Sequence, residues 1–183
     1  MKQVIFSISN GELEVIDVPI PKVSPNNILI RSKCSLLSTG TEKMLLNFGT
    51  SNWIKRSIDY PEKVKEAIYK IKTDGPIETI NAIKSKLDNP ISLGYCNVGI
   101  VEEVGKNISK FKVGDRIISN SPHAEFAVAP ENLCALIPEN ISDEDAAFTI
   151  IGSIGLQGIR LAKPSFGETF LVIGLGLIGI CTA

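Results

Sequence analysis

Three glycines near the C-terminal end of the sequence have the spacing of a phosphate-binding turn. Gly174, Gly176 and Gly179 form a GxGxxG pattern that directly follows the apolar residues 170–173. Such an apolar run is typical of a strand that is buried on both faces of a parallel sheet. In a strand-to-helix turn of this kind, the first glycine permits the bend, the second lets a pyrophosphate approach the backbone, and the third lets the helix pack closely. The pattern predicts a site for NAD or NADP, with Leu175 as part of the same turn.

The same pattern also fits a glycine-rich turn that binds no ligand, and this alternative stays open. The sequence ends at Ala183, before the acidic residue that would bind the ribose roughly twenty residues after the glycines. That residue also distinguishes NAD from NADP. We therefore expect the chain to be a fragment of a longer enzyme that, in isolation, binds the cofactor weakly or not at all and lacks turnover.

Composition and charge exclude several classes of function. Lysine and arginine total 19 and acidic residues 20, so the net charge of −1 gives no reason to expect nucleic acid or an anionic membrane as a partner. The N-terminus lacks a secretory signal, and the four cysteines, which form no CxxC pair, are expected to be reduced thiols. We therefore predict a cytoplasmic protein whose partner is a small-molecule substrate. His123 is the only histidine.

Most of the first 150 residues are predicted to form short strands separated by turns, as in a barrel or sandwich. The predicted strands cover residues 3–8, 13–18, 27–37, 97–104, 116–119 and 124–129, with a hairpin turn at Asn10 and Gly11. A helix is predicted to begin after Ser142, whose hydroxyl can cap it with Asp145 three residues later, and to continue to about Leu161.

Residues 44–89 have a different character. Apolar residues recur at helical spacing in two stretches separated by Gly75 and Pro76, and lysines occupy the other positions. This pattern predicts a helical hairpin inserted into the β domain. A lid or packing element is the favoured interpretation, whereas a role in covering the substrate or in forming a homodimer stays an open alternative.

The order of several short motifs resembles that of the medium-chain dehydrogenase/reductase superfamily. These motifs are GYCNVGIV from Gly94, FKVGDR from Phe111, HAEF from His123 and GLGLIG from Gly174, and they span nearly the whole chain outside the insert. The resemblance implies a mainly β fold with α insertions: a GroES-like barrel over residues 1–150, then a connecting helix and the first strand and turn of a truncated Rossmann domain over 151–183. It also implies an NAD(P)-dependent oxidoreductase.

The insert and its flanking motifs, STGTE before it and LGYCNVG after it, are similar to a narrower group. That group comprises bacterial two-part oxidoreductases that are linked to polysaccharide biosynthesis and carry a second oxidoreductase of the glucose–fructose oxidoreductase type. The similarity implies a sugar derivative as substrate.

The superfamily's zinc-ligand positions fall on residues that do not form such a site. They correspond to Leu37, to Tyr95 and Cys96 in place of a histidine and a glutamate, and to residues 150–152. Zinc requires several thiolate, imidazole or carboxylate ligands around one point, so the resemblance implies a zinc-free enzyme. An unrelated site built from Cys96, His123 and a carboxylate is the less favoured alternative.

The resemblance places three catalytic candidates at the walls of the active site. Thr39 or Ser38 could relay a proton, and the Tyr95 phenol could donate a hydrogen bond to a substrate oxygen. Tyr95 could equally fill space by packing, and Thr39 could be a turn hydroxyl. Ile154 falls where relatives carry a threonine that contacts the nicotinamide. His123 could serve as a general base, but an exposed loop position is favoured for it.

Two further expectations concern Arg116 and the class of protein. Arg116 is expected to be a structural ion-pair partner rather than a substrate ligand. A non-enzymatic GroES-like scaffold module, or a truncated remnant, remains the alternative to an oxidoreductase portion.

Overall fold

The structure is a computed structural model, and it describes residues 1–50, 61, 62, 65, 69, 73, 75, 77, 78 and 88–183, with the backbone alone for 48–50. Most of the predicted helical hairpin at 44–89 therefore lies outside the described residues. Its first part belongs to helix α1, Thr39–Thr50, which begins five residues before the predicted insert. The described strands, in chain order, are β1 Lys2–Phe6, β2 Leu13–Asp17, β3 Asn27–Ser35, β4 Ile91–Ser92, β5 Asn97–Val104, β6 Arg116–Ser119, β7 Phe126–Pro130 and β8 Cys134–Leu136.

The strands form two antiparallel sheets among the described residues. The smaller sheet has the order β2-β1-β4, and the larger has the order β7-β3-β5-β6-β8. The predicted hairpin between β1 and β2 is confirmed, and Gly11 has a φ of 75° in its turn. The fold is thus mainly β, as predicted, and strands β5 and β6 have the predicted bounds. Strand β3 ends two residues earlier than predicted, at Ser35.

Two apolar clusters hold the larger sheet together. One cluster lies on one face of β3, β5 and β6 and includes Ile28, Ile30, Val101 and Ile117, all of them almost fully buried. The other joins the sheet to the first helix after it and contains Val98, Ile118, Ile137, Ala146 and Ala147, with Cys34, Leu36, Ile141 and Ile150 packed against it. Strands β5 and β6 contribute to both clusters because successive side chains of a strand point to opposite faces.

The predicted helix after Ser142 consists of two helices, α2 Asp143–Ala146 and α3 Thr149–Ala162. The predicted cap is confirmed, because the Asp145 N–H donates to Ser142 Oγ over 3.0 Å. Arg116 pairs with Asp143 over 2.9 Å and also donates to the Ile141 carbonyl, which confirms its predicted structural role. This pair fixes α2 against the end of the sheet.

The predicted strand at residues 170–173 is wrong. This segment has no strand structure, and Leu171 and Ile173 are 86% and 89% exposed. A buried parallel strand requires hydrogen-bonded neighbours and covered faces, and no other described segment pairs with these residues. The helix predicted to follow the glycines is present as α4, Leu177–Thr182. Within the described part of the chain, no helix is both long and apolar enough to span a membrane.

Candidate functional site

Three segments meet at the end of strand β3 and bring polar side chains together. The pairing of β3 with β5 places Ser35 opposite Asn97, and the Leu36 N–H then donates to the Cys96 carbonyl over 3.0 Å. The chain leaving β3 therefore runs beside the chain entering β5. A third segment joins them because the His123 N–H donates to the Leu93 carbonyl over 2.8 Å.

His123 lies at the centre of this junction. Its Nε2 is 3.2 Å from Glu42 Oε2, and its Nδ1 is 2.7 Å from Ser35 Oγ. The side chains of His123 and Glu42 are only 11% and 6% exposed. The predicted exposed loop position of His123 is therefore wrong: the backbone hydrogen bonds of this residue carry its ring inward, to a buried carboxylate. We call Glu42, His123 and Ser35 the polar triad.

The start of helix α1 positions the carboxylate of the triad. Glu42 Oε1 accepts from the Ser38 N–H over 2.8 Å, and the Glu42 N–H donates to the Ser38 carbonyl over 3.0 Å. This reciprocal arrangement satisfies a backbone donor that the helix start would otherwise leave unpaired. A carboxylate in the first turn is also favoured by the positive end of the helix dipole. Neither Glu42 nor Ser35 was predicted from the sequence; the signal for Glu42 was a glutamate four residues after a serine at a helix start.

Gly94 provides the surface against which the imidazole of His123 packs. Gly94 has a φ of 92°, and a Cβ built on it would lie 2.6 Å from the Cδ2 of the His123 ring. A side chain at this position would both strain the backbone and displace the ring. The residue thus keeps His123 directed towards Glu42, and Tyr95 follows it directly in the chain.

Cys96 borders the triad on the interior side. Its side chain is fully buried, and burial, together with the nearby charge of Glu42, raises the pKa of its thiol to about 11. A hydrogen bond from the Ile151 backbone acts in the opposite direction. Because the thiolate is the reactive and metal-binding form, Cys96 at neutral pH is a small buried thiol rather than a nucleophile.

The predicted catalytic residues lie near the triad, although they differ in exposure. Ser38 is 5% exposed and meets Glu42 through its backbone, whereas Thr39, the first residue of α1, is exposed. Tyr95 is half-buried, and its hydroxyl has no hydrogen-bond partner in the described ranges. Tyr95 and Thr39 are therefore free to contact a ligand, whereas the Ser38 side chain is largely covered.

Behind the triad the interior is polar. Asn97 is fully buried, and its Nδ2 donates to Ser32 Oγ over 2.8 Å and to the Pro122 carbonyl over 3.2 Å. Two buried acceptors, Asn97 Oδ1 and Ser121 Oγ, have no hydrogen-bond partner among the residues that the structure describes. Buried polar groups are normally paired, so this concentration distinguishes the junction from the two apolar clusters.

The three glycines have the backbone conformations expected of them, but the segment before them has no strand structure, so the turn is not the predicted strand-to-helix turn. Gly174 has a φ of 94°, which favours glycine, and a Cβ on Gly176 would meet no atom within 4 Å. A Cβ on Gly179 would overlap the Gly174 carbonyl oxygen. The first glycine thus makes the bend, the second leaves the backbone open, and the third allows α4 to pack on the turn. Leu175, between them, is 71% exposed.

Helix α3 links this turn to the triad. At its start, the fully buried Ile151 lies next to the buried Cys96 thiol. One turn later, Gly155 packs so closely on α4 that a Cβ there would lie 2.6 Å from Thr182 Oγ1. Ile154, the position of the expected nicotinamide contact, is 46% exposed on the same helix. The triad and the glycine turn are therefore two ends of one packed unit.

The positions that correspond to zinc ligands do not provide a ligand set. Leu37 is 58% exposed with an apolar side chain, Tyr95 carries a phenol, and Ile151 is fully buried. None of the described residues form a group of three or more histidine, cysteine or acidic side chains that could hold a metal ion. Zinc therefore does not fit the side chains at these positions.

Comparisons with known proteins agree with this architecture. The alcohol dehydrogenase GroES-like domain matches residues 70–156. The whole chain is 30% identical to L-threonine 3-dehydrogenase of Rhizobium etli and covers 52% of that protein. Sorbitol dehydrogenase 1 of Saccharomyces cerevisiae matches 52% of this chain at 28% identity, over 36% of its own length. The crystal structure of galactitol-1-phosphate dehydrogenase from Escherichia coli matches the whole chain at a TM-score of 0.70 and 17% identity, over 51% of its own length. The chain thus spans about half the length of these relatives or less.

The packing of Gly94 on His123 generates a testable prediction. We expect Gly94→Ala to lower the free energy of unfolding by more than about 1 kcal/mol, because a non-glycine residue at positive φ costs roughly that much before any clash with the ring. Gly114→Ala is the matched control, because Gly114 also has a φ of 92° but has no atom within 4 Å of its built Cβ. Chemical denaturation measures both variants. An equal decrease in the free energy of unfolding of both variants would show that the contact with His123 does not contribute to stability.

Proposed function

Because the chain belongs to the medium-chain dehydrogenase/reductase superfamily, we propose that it is the substrate-side portion of a zinc-independent, NAD(P)-dependent oxidoreductase. In this proposal a hydride passes between the nicotinamide and the carbon of a carbonyl or alcohol group. The observation that carries the proposal is that helix α3 connects a glycine turn with an open backbone to the polar triad, in which Glu42 and His123 are buried.

We assign the cofactor to the turn formed by Gly174, Leu175, Gly176 and Gly179. The absence of a Cβ at Gly176 leaves room for a pyrophosphate against the backbone, and the positive φ of Gly174 makes the bend that precedes it. When bound, the cofactor supplies the hydride chemistry, whereas the chain supplies binding and orientation. NAD and NADP both remain candidates.

The substrate would bind on the triad side of α3. There the Tyr95 hydroxyl, which has no partner among the described residues, can donate a hydrogen bond to a substrate oxygen. The exposed Thr39 hydroxyl, or that of Ser38, can take part in proton transfer. The name sorbitol dehydrogenase among the relatives supports a polyol or sugar derivative as the substrate class. A role in polysaccharide biosynthesis, within a two-part enzyme, is the narrower form of this proposal.

The reaction would proceed without zinc. The polarisation that a metal gives to a carbonyl must then come from hydrogen-bond donors such as Tyr95. We expect the purified full-length protein, after dialysis against a chelator, to contain no tightly bound zinc and to keep its turnover. Metal analysis by mass spectrometry checks this expectation. One equivalent of retained zinc per chain would contradict it.

Cofactor binding provides a direct test of the glycine turn. We expect Gly176→Ala in the full-length protein to weaken binding of NADH or NADPH about tenfold, which corresponds to about 1.4 kcal/mol. The added methyl group meets no protein atom, so a loss of affinity would report a ligand against the backbone. Gly158→Ala, on α3, is the matched control because its built Cβ is equally free. Calorimetry that shows unchanged affinity in Gly176→Ala would remove the assigned site.

Turnover tests the substrate-side residues. In the full-length protein we expect Tyr95→Phe to lower kcat about 10²-fold with little change in cofactor affinity, because it removes a donor used mainly in the transition state. Tyr69→Phe, at an exposed position in the insert, is the control. Sugar and polyol substrates are tested in both directions by the absorbance of the reduced nicotinamide. Wild-type protein that neither binds nor oxidises a nicotinamide cofactor would favour the scaffold alternative.

A further inference from the structure

The only histidine of the chain connects a buried carboxylate to an exposed hydroxyl. Nε2 of His123 faces Glu42 over 3.2 Å, and Nδ1 faces Ser35 over 2.7 Å. Glu42 and His123 are buried, whereas Ser35 is exposed at the last position of β3. The triad is therefore a continuous hydrogen-bonded path from the interior to the surface.

The chemistry of the three groups determines where the protons lie. An ionised carboxylate only accepts hydrogen bonds, so the nitrogen that faces Glu42, Nε2, carries a proton. In a neutral imidazole the other nitrogen is an acceptor, and the Ser35 hydroxyl donates to Nδ1. The second oxygen of Glu42 is occupied by the Ser38 N–H, so the carboxylate has a fixed orientation.

We propose that Ser35, His123 and Glu42 form a proton relay in which the Ser35 hydroxyl exchanges a proton with the reacting oxygen of the substrate. The proposal rests on the function proposed above. It assigns Ser35 as the group that exchanges a proton with the substrate, in addition to the Tyr95 donor, His123 as the base behind Ser35, and Glu42 as a positioning residue.

The relay balances the reaction in both directions. In oxidation, the substrate O–H proton would pass to Ser35 Oγ while the Ser35 proton passes to His123 Nδ1. The C–O bond would become C=O as the substrate carbon loses its hydride, which a bound nicotinamide would accept. The imidazolium that forms is held by Glu42. In reduction, Nδ1 returns a proton to Ser35, which protonates the oxygen of the new alcohol. The small exposed fraction of His123 lets the ring exchange its proton with solvent.

The position of Ser35 argues for transfer rather than for structure alone. If the contact served only to anchor the His123 segment to α1, the hydrogen bond between Glu42 and the imidazole would be enough. The additional hydrogen bond between the exposed Ser35 hydroxyl and Nδ1 would then have no role. Ser35 also lies across the β3–β5 pairing from Asn97, which follows Tyr95 and Cys96 in the chain. Its exposed hydroxyl is thus at the same end of the sheet as the proposed substrate donor.

Nitrogen-15 NMR of the chain tests the hydrogen-bond path without any turnover. With a single histidine, the imidazole spectrum has one pair of nitrogens to assign. We expect the neutral form to carry its proton on Nε2, Ser35→Ala to shift mainly Nδ1, and Glu42→Gln to shift mainly Nε2. Ser32→Ala is the matched control, because Ser32 is on the same strand but binds Asn97 instead of the ring. A neutral ring protonated on Nδ1 alone, or nitrogens insensitive to Ser35→Ala, would overturn the relay.

Turnover of the full-length protein tests the transfer itself. We expect Ser35→Ala to lower kcat about 10²-fold, the lower end of the range for general acid–base catalysis, and to raise the solvent deuterium isotope effect because proton transfer becomes slower than hydride transfer. Ser35→Thr, which retains a hydroxyl, should restore most of the rate, and cofactor affinity should not change in either variant. An active Ser35→Ala enzyme with unchanged kcat and isotope effect overturns the relay but leaves the proposed function intact. Wild-type protein with no nicotinamide-dependent turnover overturns both.

Discussion

The arrangement of the site depends on how a buried carboxylate is compensated. Removing the charge of Glu42 from water is expensive, and breaking a buried pair by deleting one partner costs about 3–5 kcal/mol. The chain offsets this cost with two donors, the Ser38 backbone and the His123 ring, which come from different parts of the sequence. The start of α1 and the segment before β7 must therefore meet wherever Glu42 is buried. Gly94 is needed because no residue with a Cβ leaves room for the ring.

The same requirement connects the site to the second half of the chain. Cys96 lies between the charge of Glu42 and the first turn of α3, so the packing that surrounds the carboxylate also fixes the helix that leads towards the glycine turn. Gly155 in turn lets α4 pack directly on α3, because a side chain at this position would collide with Thr182. The hydride transfer proposed here requires reacting groups held at a fixed separation, and this continuous packing agrees with that requirement.

Sequence patterns predicted those features that arise from local chemistry. The hairpin at Asn10 and Gly11, the Ser142 cap and the conformation of the three glycines follow from the backbone preferences of a few adjacent residues, and the structure has all of them. The predicted strand at 170–173 failed because a strand exists only through its neighbours. His123 was misplaced for a related reason: its partners, Glu42 and Ser35, are 81 and 88 residues distant in sequence. The residues around HAEF therefore give no indication of either partner. The catalytic assignments came from resemblance to a family and the cofactor-binding assignment from the glycine pattern, and both remain proposals.

The replacement of metal-ligand positions by Leu37, Tyr95 and Cys96 has a chemical consequence for the reaction proposed here. A metal stabilises negative charge on a substrate oxygen without proton transfer, whereas a neutral hydroxyl can do so only by sharing its proton. Hydroxyl groups are weak acids, so a site built on hydroxyl donors benefits from a base that can take up and return a proton near neutral pH. Imidazole is the side chain whose ordinary pKa suits that task. In the proposed relay the single histidine of this chain is that base. It packs on Gly94, which precedes Tyr95 and Cys96 in the chain, and its buried carboxylate partner would stabilise the charged ring that forms. The change of side chains at the metal-ligand positions and the burial of the His123–Glu42 pair are thus chemically complementary features of one site.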